Sequence, residues 1–277
     1  MTVVLGLLAA VLYGIADFAG GFASRAHSAV TVLLYSYPVG AVLMAVMLPF
    51  FPGTLTARVV LFGTLGGLAG LLGVSLMYQL MVTAPMNVIS PMTAVLAAIV
   101  PVLVGVTIGE RPAVAAWIGI AVGILAVVLV SRTTEDHPHG RIAVRVLALA
   151  TLSGVGFGLY FVFLARAGHD SGLWPLVVSR IASAVLILPL AAGMRSFARI
   201  RGRLLAWALL AGTCDALANM FFLLSARAGL LSLASVLTSL YPAVTVLLAV
   251  AVLHEHTSRV QRAGLALAAA AVVLITI

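Results

Sequence analysis

Lysine is absent from this 277-residue sequence, and cysteine occurs once, at Cys214. Only 8% of the residues are charged. Each scarcity excludes something. One cysteine permits no disulfide framework and gives no redox compartment. So few charges cannot cover the surface of a soluble domain, and a bilayer is the solvent that removes that need. The other side of the balance agrees: the chain is 64% hydrophobic, with a mean hydropathy of +1.26, far outside the soluble range. The net charge of +8 is carried by arginine alone. The arginines stand singly or in short clusters between apolar runs, a pattern of membrane-flank charge rather than of a nucleic-acid patch. Catalytic signatures are missing as well: no HExxH, no GxSxG and no histidine inside an apolar run. The sequence therefore predicts no enzyme, no metal and no cofactor.

What is present is apolar length. A helix crosses about 30 Å of hydrocarbon with about 20 residues, and ten segments meet that measure. They fall near residues 2–23, 29–51, 59–82, 86–108, 113–131, 144–166, 173–194, 204–226, 230–253 and 260–277. The reading is an all-α, multi-pass membrane protein of ten transmembrane helices. Connections are short and punctuated, as in Phe51-Pro52-Gly53-Thr54. The polar stretch with Glu135, Asp136, His137 and His139 reads as a linker, 132–143, between halves at 1–131 and 144–277. The first segment lacks a basic n-region and holds Asp17, so it reads as a retained helix rather than a signal peptide.

The halves repeat. Shifted by 145, Glu110 falls on Glu255, Gly119 on Gly264, Ser90 on Ser235, Thr93 on Thr238 and Arg58 on Arg203, and Ala126-Val127-Val128-Leu129 recurs at Ala271-Val272-Val273-Leu274. Five crossings per repeat is an odd number, so the second repeat enters the membrane upside down. Such inverted repeats frame a substrate site between their halves.

Further residues carry a resemblance. Tyr13-Gly14 and Phe157-Gly158 look like aromatic-glycine pairs opening each repeat. Gly109-Glu110-Arg111 closes the fourth segment, Gly119 and Gly264 follow in the fifth and tenth, and Tyr241-Pro242 stands in the ninth. In this order the chain resembles the EamA-type ten-helix carriers of the drug/metabolite transporter superfamily. It departs from them at His254-Glu255-His256, where the glycine and arginine are gone, and at Ala97, where a proline is expected. The resemblance implies a secondary active transporter in the cell (inner) membrane. It would export a small organic metabolite or drug by alternating access, with proton coupling as one option, as a monomer or homodimer. A flippase for a lipid-linked group is the alternative within the superfamily. A membrane-embedded enzyme or a non-transporting scaffold is the alternative outside it. The family is drawn with cytoplasmic termini, whereas the ten arginines on the opposite side, against four, favour termini outside.

Charges inside apolar spans cost several kcal/mol, on the order of 3 on insertion scales, and so mark candidate sites. They are Asp17, Arg180 and Asp215, whose repeat counterparts Phe161, Ser36 and Gly70 are uncharged. A proton- or cation-coupling carboxylate, Asp215 ahead of Asp17, with the arginine as counter-ion or substrate anchor is one reading; an Asp–Arg pair neutralised for packing, or Arg180 snorkelling towards a headgroup, is the other. Asn219 follows Asp215 by one helical turn, and Tyr13 precedes Asp17 by one, so each pair shares a face. Pro91 and Pro101 are expected to interrupt the fourth helix and Pro242 the ninth. Ser90, Thr93, Ser235, Thr238 and Tyr241 near these breaks are candidate substrate contacts. Glu110 and Glu255 are expected to cap the helix that follows each. The glycines from Gly63 to Gly73 predict close helix approach.

Overall fold

The computed structural model describes residues 1–83, 86–130, 144–253 and 258–276, all helices and short turns with no strand among them. The first half holds α1 (Thr2–Ser24), α2 (Ala29–Met47), α3 (Ala57–Thr83), α4 (Met86–Thr107) and α5 (Val114–Val130). The second holds α6 (Val144–Arg166), α7 (Trp174–Gly193), α8 (Gly202–Ala228), α9 (Leu231–Thr238), α10 (Tyr241–Leu253) and α11 (Arg259–Thr276). Among the described residues, seven stretches are long and apolar enough to cross a membrane: α1, α2, α3, α6, α7, α8, and α9 with α10 taken together. Thr93–Thr107 of α4 and Val114–Leu129 of α5 are shorter apolar helices. Outward faces carry exposed Val42, Leu61, Leu103, Ile118, Val185 and Leu247, side chains that hydrocarbon solvates and water does not.

Local chemistry sets the helix ends. Ser28 Oγ accepts the Thr31 N–H at 3.2 Å to start α2. A reciprocal pair starts α11, with Gln261 N–H on Ser258 Oγ at 3.1 Å and Ser258 N–H on Gln261 Oε1 at 2.9 Å. The ninth segment breaks, as expected, between α9 and α10, and Pro242 sits in the first turn of α10, where its missing N–H costs nothing. The fourth does not break: α4 runs unbroken through Pro91 and Pro101, and α2 and α7 likewise contain Pro38 and Pro189. Each interior proline removes one backbone bond, and the helix continues through it.

At Gly109-Glu110-Arg111 the fold departs from expectation. Gly109 has φ +99°, the left-handed conformation that glycine adopts without strain. Glu110 N–H then reaches back to Gly105 O at 2.9 Å and Gly109 N–H to Val106 O at 3.1 Å, the Schellman termination of α4. Arg111 Nη1 donates to Glu110 O at 2.9 Å and to Val106 O at 3.3 Å. The Glu110 carboxylate does not cap α5. It accepts the N–H groups of Leu231 at 2.6 Å and Ser232 at 3.0 Å, the first turn of α9 in the other half. The Schellman turn folds the side chain back over α4, which packs on α9. Gly105 makes room, since a Cβ there would stand 2.9 Å from Glu110 Cδ. Glu255, with His254 and His256, lies outside the described residues, as does the segment read as the linker.

Packing between the halves has its own symmetry. α1 packs on α8 and on α9 and α10, while α6 packs on α3 and α4; α2 packs on α8, and α3 on α7. α2 meets α7, α5 meets α11, and α4 meets α9 and α10. Exchanging each first-half helix for its second-half counterpart returns the same set. Glycines permit the closest approaches in both members of a pair. A Cβ at Gly14 would stand 2.7 Å from Tyr241 O, and one at Gly158 would stand 3.0 Å from Leu96 O; Tyr241 and Leu96 are themselves related by the 145-residue shift. Likewise a Cβ at Gly212 would overlap the Ser36 backbone, and one at Gly67 the Ser179 backbone. The small-residue stripe of α3 thus seats α6 and α7.

Candidate functional site

Where α1, α2, α3, α6, α7 and α8 converge they leave a cavity of about 520 Å³, mouth included. It is lined from both halves, by Tyr13, Ser36, Tyr37, Gly70 and Tyr78 on one side and Phe157, Tyr160, Arg180, Asp215 and Asn219 on the other. Two of the three intramembrane charges meet here. Arg180 Nη2, on α7, donates to Asp215 Oδ2, on α8. The pair is lopsided, with the arginine side chain 5% exposed and the aspartate 29%. The guanidinium lies over the Tyr37 ring at 5.4 Å, a cation–π contact that offsets part of its desolvation. Its Nε is buried without an acceptor.

Asn219 ties α8 to α1. Its Nδ2 donates to Asp215 O at 2.6 Å, and its Oδ1 accepts from the Tyr13 hydroxyl. The register-related pair Ser36 and Arg180, and the pair Gly70 and Asp215, all reach this one cavity. The absence of a side chain at Gly70 is filled by the Tyr160 ring, which a Cβ there would approach to 3.0 Å.

Asp17 is placed differently. It is 6% exposed and is not among the residues lining the cavity. Ser90 Oγ donates to its Oδ2 at 3.3 Å, and no described cation pairs with it. Around it, Thr93 Oγ1 donates to Ser90 O at 2.8 Å. The Tyr241 hydroxyl lies 3.2 Å from Thr93 Oγ1 and donates to Ser90 O at 3.4 Å. Tyr78, which does line the cavity, donates to Ala16 O at 3.4 Å. Asp17, Ser90, Thr93 and Tyr241 are thus a second buried polar cluster, and none of them lines the cavity.

Of the ten residues the sequence offers as contacts, the cavity takes Tyr13, Arg180, Asp215 and Asn219. Ser235 and Thr238 are fully buried in α9 away from it; Ser235 Oγ donates to Ser232 O at 3.0 Å. Tyr37, Tyr78, Tyr160, Ser179 and Ser183 line the cavity without having been singled out. Part of that signal was readable: Ser179 and Ser183 are one helical turn apart around Arg180, and Tyr160 follows Phe157 at helical spacing.

The EamA-like transporter family matches residues 1–132 and 144–277. A solved structure titled only "Crystal structure of protein" superposes with a TM-score of 0.78 at 18% identity, covering 99% of this chain and 96% of that one; the likeness is one of fold. No curated protein matches the chain. With its helical repeats matched over nearly every residue, the chain is an integral, multi-pass membrane protein and belongs to the EamA-like transporter family.

Proposed function

We propose that this protein is a secondary active transporter of a small organic metabolite or drug, an exporter in the cell (inner) membrane. It works by alternating access between two inverted five-helix repeats, 1–131 and 144–277, joined by 132–143 and making ten crossings. One observation carries the reading: both halves contribute walls to a cavity that holds a buried charge pair. Charges at membrane depth are costly and are kept where they face a pathway, and a site between repeats is the geometry of alternating access. The exchange symmetry of the helix contacts supports a two-fold axis in the membrane plane.

Asp17 carries the coupling proton in this scheme. Asp215 already has Arg180 as counter-charge, whereas Asp17 has one hydroxyl donor and, among the described residues, no cation, a costly setting for a permanent charge. The titratable groups facing it are Tyr13 of its own helix, Tyr78 of α3, Asp215 of α8 and Tyr241 of α10. The test is transport in proteoliposomes with a panel of amino acids, nucleobases and cationic drugs. A substrate found by counterflow should accumulate under an imposed pH gradient in the wild type. Asp17→Asn should retain exchange and lose gradient-driven accumulation. Accumulation at the wild-type rate in Asp17→Asn would remove the proton from this site; absence of counterflow for the whole panel would remove the transporter reading.

A further inference from the structure

The hydrogen bonds inside the cavity are distributed unevenly between donors and acceptors. Most of its described donors are engaged. Tyr13 donates to Asn219 Oδ1, and Asn219 Nδ2 to Asp215 O. Ser36 Oγ donates toward Val32 O and Ala208 O, at 3.0 and 2.9 Å. Ser179 Oγ donates to Leu176 O and Ser183 Oγ to Gly67 O, both at 2.9 Å. Those serine protons are directed at backbone carbonyls. The strongest donor, Arg180, is almost wholly covered, and its free Nε is buried.

The acceptors are open. Asp215 accepts Arg180 through Oδ2 only, and it is the exposed member of the pair, so the first charge an occupant meets is a carboxylate. Around it stand the rings of Tyr13, Tyr37, Tyr78, Phe157 and Tyr160, whose faces attract cations. A carboxylate or phosphate entering here would shed its water beside the Asp215 carboxylate, where the Arg180 guanidinium is almost wholly covered and already paired. An ammonium would find the Asp215 carboxylate and aromatic faces together.

Resting on the cavity as the substrate site, we propose that the transported compound is an organic cation: one ammonium group on a flat apolar body. The ammonium binds the open side of Asp215, and the body lies between the tyrosine rings. Arg180 keeps the carboxylate oriented and neutralises it when the cavity is empty, so the occupied site carries the net positive charge of its ligand.

A series with one common body isolates the charge: 2-phenylethylammonium, phenylalanine as zwitterion, 3-phenylpropionate as anion and 2-phenylethanol as neutral control. Binding of each to the wild-type protein in nanodiscs is measured by calorimetry, so no variant need fold for the main comparison. The expected order places the ammonium at least ten-fold tighter than the other three. Asp215→Asn should lose at least ten-fold for the ammonium while leaving the alcohol unchanged. Tyr160→Phe should keep affinity, because the ring face remains, and Tyr160→Leu should lose it. If the anion or the zwitterion binds best, the cation assignment is overturned while the cavity stands as a substrate site. If none of the four binds and none exchanges by counterflow, the assignment falls together with the transporter reading on which it rests.

Discussion

Removing one partner of the Arg180–Asp215 pair tests how the cavity is held. In Asp215→Asn the guanidinium stays where it is, 5% exposed and with its Nε already lacking an acceptor. An uncompensated buried charge of this kind costs about 3–5 kcal/mol. At about 2–4 °C per kcal/mol for a chain approaching this size, the lower figure lowers the melting temperature by roughly 6–12 °C. Arg180→Gln strands the less buried partner, which water reaches from the cavity, and is expected to cost about half as much. The double variant removes both charges and leaves two neutral polar groups. It should melt above Asp215→Asn alone, with a coupling of about 2 kcal/mol between the sites. The assay is thermal unfolding of the purified proteins in one detergent, followed by fluorescence-detected size exclusion. Additive losses, with the double variant less stable than either single one, would refute the reasoning, because the two charges would then not be compensating each other.

Glu110→Ala leaves the N–H groups of Leu231 and Ser232 without their acceptor, at about 1 kcal/mol each; a fall of roughly 4–8 °C is expected, half of it recovered in Glu110→Gln, and an unchanged melting curve would show that the cap contributes nothing. Gly212→Val places a side chain against the Ser36 backbone and should abolish the monodisperse peak, whereas Gly193→Val, where nothing lies within 4 Å, should leave it intact; equal behaviour of the two variants contradicts the packing argument. Helix connectivity puts Arg25, Arg145, Arg195, Arg199, Arg201, Arg203, Arg259 and Arg262 at one end of the bundle, and the positive-inside rule makes that end cytoplasmic. Phe197, 59% exposed in the same loop, replaced by cysteine in a Cys214→Ala background, should react with an impermeant maleimide only after permeabilisation; labelling in intact cells reverses the orientation.

The sequence by itself determined the solvent, the class and the segment boundaries to within a few residues, because hydrocarbon admits so few backbone solutions that apolar length alone reveals a crossing helix. It also determined which side chains are costly, since Asp17, Arg180 and Asp215 stand out against any apolar background. Partners were beyond it. Hydropathy cannot tell that Asp215 meets Arg180 while Asp17 meets Ser90, or that one carboxylate lines a cavity and the other is buried outside it; those follow from how α1, α7 and α8 rotate against one another when glycines let them approach. Glu110 makes the same point. Its position at a helix end is legible from Gly109-Glu110-Arg111, yet the helix it caps lies 121 residues away, brought there by the packing of α4 on α9. The tyrosines and serines that complete the cavity lining were only partly legible for a related reason: in an apolar helix such residues are common, and only tertiary packing decides which face lipid, which face a neighbour and which face an enclosed space.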